Sequence, residues 1–138
     1  NVSWKIHPNV KVEITPFPLF ILQPLVENAI WHGLSSPAVA EPQIKFDIAW
    51  FDDCLEIRIQ DNGVGLHDAQ RNKQQKKHHS RGTAIVKERL SLLHHSGELV
   101  IAEASDVHPF STGITALIRL PLWSLEPAWS EREERKAG

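Results

Sequence analysis

Between Ile44 and Gln60 the chain alternates twice over. Ile44, Phe46, Ile48 and Trp50 are interleaved with Lys45, Asp47 and Ala49. After Asp52-Asp53, Leu55, Ile57 and Ile59 are interleaved with Cys54, Glu56, Arg58 and Gln60. A period of two turns successive side chains to opposite faces, so both segments are strands with one apolar face and the polar break makes them a hairpin. An isolated hairpin is at best marginally stable in water. The remaining chain must therefore supply further strands and something to cover the apolar face.

Both are present. Leu99-Val100-Ile101-Ala102 and the run from Thr115 to Leu120 read as two more strands, joined by a loop holding Pro109 and Gly113. Lys11-Val12-Glu13-Ile14 reads as a short strand stopped by Pro16 and Pro18. Cover comes from residues 18–33, where Leu22, Val26, Ala29, Ile30 and Gly33 recur at helical spacing. Pro18 suits a first helical turn, Pro24 requires a kink or a second segment, and Gly33 is a natural stop. A second helix is predicted from Ala84 to about His95, with Val86, Leu90 and Leu93 inward and Gly97 as its cap. Strand, helix, hairpin, helix and two strands resolve most simply as an α/β (α+β) two-layer sandwich. Its sheet is mixed and mostly antiparallel, with the helices on one face. Residues 1–122 form the domain; residues 123–138 are a charged tail, either a short helix or frayed.

A net charge of −2 gives no field to attract nucleic acid. The single Cys54 excludes an internal disulfide and suits a reducing, cytoplasmic setting. No apolar run approaches the roughly 20 residues of a membrane span. The start at Asn1, without a methionine, reads as a piece of a longer protein whose anchor or sensor lies elsewhere. Residues 71–81 carry five formal positive charges, two histidines, no acid and no apolar residue, and are expected to be a loop. That loop is either a solvated linker or a basic flap over an anion; it lacks the interleaved aromatics of a nucleic-acid surface.

Four features bear on chemistry. Glu27-Asn28 places an acid and an amide on a packing helix that needs neither. Asn28 offers a carbonyl oxygen of the kind magnesium accepts when it bridges phosphates. Asp61-Asn62-Gly63-Val64-Gly65 follows a strand. Its carboxylate can only accept, which suits the exocyclic amino group of a purine, and its glycines let a flat ligand approach the backbone. The same residues also make an ordinary turn. Gly82 falls where the basic segment meets the predicted helix start, a place where free N–H groups hold anions. Lys73, Lys76, Lys77 and Arg81 lie close enough in sequence to add charge there.

The run Leu22-Gln23-Pro24-Leu25-Val26-Glu27-Asn28-Ala29-Ile30, with His32-Gly33, resembles the asparagine box of LytS-type sensor histidine kinases. Asp61 to Leu66 resembles that family's first glycine box, Lys87-Glu88-Arg89-Leu90 the helix after its second, and Gly113 to Pro121 its closing strand. The resemblance spans residues 12–122. It implies the ATP-binding catalytic domain of a two-component kinase, on the Bergerat-type fold shared with gyrase and MutL. It further implies an upstream dimerisation domain carrying the phosphorylated histidine, a cognate response regulator, and a homodimeric parent that a membrane anchor could tether. By position, Asn28 would hold magnesium and Asp61 would bind adenine, with Thr115 supporting Asp61 through water. His32, Gly63, Gly65, Gly82, Thr83, Arg81 and Lys77 would line the nucleotide, residues 66–81 would form the lid, and Glu27 would be a secondary catalytic candidate.

The chain departs from the pattern in three places. Ser80 stands for the first glycine of the second box, Ile85 for a frequent asparagine, and Trp31 for a usual basic residue. Each loses a possible phosphate contact. Pro24 occupies the position of the glutamate with which the hydrolytic members activate water. None of the eight histidines sits in a phosphoacceptor pattern, and the adjacent pairs point apart, so they make no metal site. The competing expectation is a degenerate, non-catalytic regulatory module that binds nucleotide weakly or works through protein contacts.

Overall fold

In the computed structural model the hairpin pairs as its alternation requires. It comprises β2 (Ile44–Phe51) and β3 (Cys54–Asp61), in a register that places Phe46 opposite Ile59 and Ile48 opposite Ile57. The described residues are 1–11, 19–65, 73–92, 97–103 and 112–121. Asp52, at the first position of the two-residue turn, has a φ of 50°, a conformation aspartate tolerates better than most residues.

Three further strands complete a five-stranded sheet. They are β1 (Val2–Ile6), β4 (Glu98–Glu103) and β5 (Ile114–Pro121), in the order β1-β2-β3-β5-β4. Only β1 pairs parallel, along β2; the other three pairings are antiparallel. The first strand is therefore Val2–Ile6, carried by the alternation of Val2, Trp4 and Ile6, with Trp4 stacked on Phe46 at 3.9 Å between ring centroids. Lys11 lies in no strand, and the rest of the strand predicted at 11–14 falls outside the described residues. Strand register turns Phe46, Ile48, Leu55, Ile57, Ile118 and Leu120 to one side, where all are buried. Each such side chain contributes about 1.5–3 kcal/mol on leaving water.

Two helices cover that side. The first, α1 (Leu19–Asn28), continues without interruption into a π-helical turn, Ala29–Leu34. The second, α2 (Lys73–Leu92), is 20 residues long. Ile21, Leu22, Leu25, Val86 and Leu90 join the sheet residues in one core. The opposite face of the sheet is charged: Arg119 donates to Glu56 at 2.7 Å and approaches Glu98 at 3.8 Å. The Glu56 hydrogen bond, with its charge, raises the Arg119 pKa above its ordinary value. Both helices on one face of a mostly antiparallel mixed sheet is the predicted architecture.

Two expectations about the helices need correction. The basic segment is not a loop from Lys73 onward, because residues 73–81 form the first half of α2. Lysine, glutamine and arginine are good helix formers, and extending an existing helix is far easier than nucleating one. The apolar stripe at Val86 and Leu90 anchors α2, and the polar residues before it propagate the helix outward. Nor does Gly33 end its helix; it lies inside the π turn, buried.

Pro24 sits within α1, which continues on both sides of it. Proline at this position has no N–H for the carbonyl four residues back, that of Phe20. The structure supplies a substitute: Arg89 of α2 donates from Nη1 to the Phe20 carbonyl oxygen, with its guanidinium 5.9 Å from the Phe20 ring centroid. Of the two outcomes expected at Pro24, a second segment does not arise: one helix runs from Leu19 to Asn28, and the carbonyl the proline leaves open takes a cross-helix hydrogen bond.

Candidate functional site

The strand β3 ends on Asp61, 3 % exposed, facing the helix-covered side. Its Oδ1 accepts from the Gly63 N–H at 2.9 Å and the Ile114 N–H at 3.3 Å. Two backbone donors on one carboxylate oxygen fix the group's orientation. Three glycines make room for it. A Cβ on Gly33 would lie 2.8 Å from Asp61 Oδ1, and one on Gly63 would lie 2.4 Å from the Gly33 Cα. Gly113, at φ 107°, would bring a Cβ within 1.9 Å of the Asp61 carbonyl oxygen. Gly65, also in the left-handed region at φ 75°, turns the chain away after β3.

Asn28, the last residue of α1, shares a small cavity with Asp61. Leu25, Ala29, Ile59, Ile101, Ile114 and Ala116 form the rest of its lining. The Asn28 carboxamide also faces α2: a Cβ on Gly82 would fall 2.5 Å from its Nδ2 and 2.7 Å from its Oδ1. Nδ2 is buried without a hydrogen-bond partner, as is Thr83 Oγ1 in the next position of α2. Buried polar groups of this kind cost free energy until something pairs with them. An amide oxygen in a cleft suits a hard cation. Among the described residues no cluster of three His, Cys, Asp or Glu could hold a metal alone. The Asn28 amide oxygen fits a magnesium ion that arrives with a nucleotide's phosphates, the mode this ion favours. The cavity measures about 20 Å³, room for roughly one water.

The other candidates divide clearly. His32 is half-buried in the π turn, and Arg81 is exposed on α2. The backbone at Lys77 lies in α2; its side chain is outside the described residues, as are residues 66–72 of the expected lid. Gly82 is not at a helix start: α2 begins nine residues earlier, so the N–H groups here are not the free ones of a helix N-terminus. What Gly82 provides is close approach of α2 to Asn28. Glu27 is exposed and accepts from Gln23 Nε2 at 2.9 Å on the solvent side of α1, so the structure does not bring it to the site. One residue along a helix turns the side chain by about 100°, which separates it from Asn28. Thr115 pairs with Gln60 in the β3–β5 register and accepts from its Nε2 at 3.4 Å. Alternation puts that pair on the opposite face from Asp61, and the support expected from Thr115 comes from the Ile114 N–H. Sequence reading missed Gly33 and Ile114. Gly33 was legible as the glycine closing the apolar box, but a contact with Asp61 28 residues away is a tertiary fact.

This architecture, with an aspartate in a glycine cradle beside a helical asparagine, is that of a nucleotide-binding α/β sandwich. The sequence profile of the histidine kinase-, DNA gyrase B- and HSP90-like ATPases matches residues 16–124. The chain belongs to this family. It is 35 % identical over 66 residues to the sensor protein LytS of Staphylococcus epidermidis, a match covering 48 % of this chain and 11 % of that protein. The matched segment spans about a tenth of that relative's length. Among solved structures, the blue-light activated histidine kinase of Erythrobacter litoralis EL346 superposes with a TM-score of 0.57 at 18 % identity. That match covers 91 % of this chain and 38 % of the other. The catalytic domain of the histidine kinase ThkA, in a nucleotide-free form, gives a TM-score of 0.57 at 13 % identity over 88 % of this chain and 78 % of its own. At these identities the superpositions show the fold, a histidine-kinase-type ATPase sandwich.

Proposed function

We propose that this chain binds Mg-ATP and is the catalytic domain of a two-component sensor histidine kinase. In the parent protein it would present the γ-phosphoryl group to a histidine on an upstream dimerisation domain. The observation that carries this reading is the pairing of Asp61 and Asn28 across one cavity. Asp61, its carboxylate held by the Gly63 and Ile114 N–H groups, would accept from the 6-amino group of adenine. Asn28 ends α1 with a buried Nδ2 that has no hydrogen-bond partner, a donor a phosphate oxygen would satisfy, while its Oδ1 would ligate magnesium. When bound, the ion neutralises charge on the phosphates. The chain's own residues position the nucleotide and exclude water, which is most of what phosphoryl transfer requires. Self-hydrolysis is disfavoured: Pro24 stands at the glutamate position and Glu27 faces solvent, so neither reaches a water near Asn28.

The parent's partners follow from the same reading. They are a helical phosphoacceptor domain in a homodimer and a cognate response regulator, with no nucleic acid. No helix among the described residues is long and apolar enough to cross a membrane.

A second reading is favoured by one observation. α2 runs unbroken through Gly82, so the phosphates lack a helix N-terminus at the place where the sequence suggested one. A chain without that grip would hold adenine but not discriminate the triphosphate, and would act as a regulatory module.

Calorimetric titration separates the two. ATP binding in magnesium well above ADP binding, and lost in Asp61→Asn, supports the kinase reading. Equal affinities for ATP and ADP support the module. No binding of either at millimolar concentration refutes both.

A further inference from the structure

We propose that Gly33 is a positioning residue for base recognition, acting through Asp61 and placed by the π-helical turn. The inference rests on the nucleotide reading above and adds a determinant to it. Asn28 and Gly33 are five residues apart. In an α-helix that spacing turns the chain by about 500°, leaving the two roughly 140° apart around the axis. They could not then both face the cleft. The turn Ala29–Leu34 is instead π-helical, closed by a bond from the Ser35 N–H to the Ile30 carbonyl at 3.1 Å. Its wider winding brings Gly33 round to the side that Asn28 occupies. Single π turns inside α-helices are uncommon and concentrate at functional sites.

Gly33 then makes one contact that no residue with a side chain could make, and a second through its backbone. Its Cα face lies against the Asp61 carboxylate, where a Cβ would come within 2.8 Å of Oδ1 and 3.3 Å of Cγ. Its carbonyl accepts from the Val64 N–H at 3.3 Å, joining the helix end to the turn after β3. Asp61 is thus confined from one side by backbone donors and from the other by Gly33. Its Oδ1 is held by these contacts, and with it the orientation of the whole carboxylate that would read a base amino group. A side chain at position 33 must displace the carboxylate, since the glycine and its neighbours are packed backbone to backbone. The apolar box therefore supplies two determinants from one helix: Asn28 at the metal and phosphate end, and Gly33 at the base end.

The test compares ATP with ITP, which lacks the 6-amino group, by NMR titration in magnesium up to millimolar nucleotide. The unaltered chain should prefer ATP by about tenfold or more, the loss expected when a charged acceptor goes unpaired. Gly33→Ala should collapse that preference to within about twofold while weakening ITP little, because the phosphate end is untouched. Asp61→Ala should do the same, and Gly33→Ala added to Asp61→Ala should change nothing further, as expected for residues acting as a unit. A loss of folding alone would weaken both nucleotides alike. Retained ATP preference in Gly33→Ala, or additive effects in the double variant, overturns the assignment. If Gly33→Ala does not fold, the double variant decides. Asp61→Ala removes the two atoms nearest a Cβ at 33, leaving the Gly63 Cα at 3.6 Å, an ordinary contact. The double variant should then fold, and its failure to do so overturns the proposal. No nucleotide binding by the unaltered chain removes the nucleotide reading itself and this inference with it.

Discussion

The cross-helix bond from Arg89 to the Phe20 carbonyl gives a test in which one substitution should repair another. Pro24 leaves that carbonyl without its helical donor, and Arg89 Nη1 replaces it. A hydrogen bond to a charged donor contributes about 1.5–3 kcal/mol when well buried. Arg89 is only half-buried, so the lower end applies, about 1–2 kcal/mol for Arg89→Met, which keeps most of the apolar stem. At roughly 3–4 °C per kcal/mol for a domain of this size, the melting temperature should fall by about 3–8 °C. In a Pro24→Ala background, residue 24 has its own N–H for the Phe20 carbonyl. Arg89→Met should then cost less than half as much, a coupling of about 1 kcal/mol in a double-mutant cycle. Urea unfolding of the four chains measures it. Equal Arg89→Met penalties with proline and with alanine at position 24 would refute the substitution of one donor for the other. The bond would then be incidental, and α1 would owe its passage through Pro24 to packing alone.

Other outcomes follow from the same geometry. Gly82→Ala sets a Cβ 2.5 Å from Asn28 Nδ2. It should lower stability by about 1–3 kcal/mol by overpacking, visible as a lower urea midpoint. Gly113→Ala combines a φ of 107° with a Cβ 1.9 Å from the Asp61 carbonyl oxygen, and should fail to give a soluble folded chain on expression. Ile57→Ala empties a fully buried site on the central strand β3. A loss of about 2–5 kcal/mol is expected by thermal or urea unfolding. Glu27→Ala removes only a solvent-side pair with Gln23. It should change stability by less than about 0.5 kcal/mol and leave the ATP dissociation constant within twofold in calorimetry; a tenfold weakening would return Glu27 to the site.

Much of this protein was legible in one dimension. The alternation from Ile44 to Gln60 determined a hairpin and its buried face, because a one-residue slip would turn Phe46 and Ile48 away from Ile57 and Ile59, and the two-residue turn selects among the registers that remain. The glycines and the aspartate after β3, and the asparagine on an apolar helix, marked both ends of the candidate site because such residues are poor choices for packing alone.

Tertiary structure decided the rest, and in each case the deciding contact joins residues far apart in sequence. The basic residues 73–81 are good helix formers by type but have no apolar stripe of their own to hold a helix. They are helical as an extension of a segment anchored by Val86 and Leu90 on the sheet. Pro24 reads locally as a break, and the donor that compensates for it arrives from Arg89, 65 residues later. Thr115 lies on the far face of the sheet from Asp61 because its register partner is Gln60. The stretch from Gln23 to Leu34 announced a helix with one polar pair out of place. Only the fold shows that Glu27 belongs to solvent and Asn28 to the cleft. There a π turn brings Gly33 against Asp61, because backbone winding, unlike residue type, is settled by what the helix end must pack against.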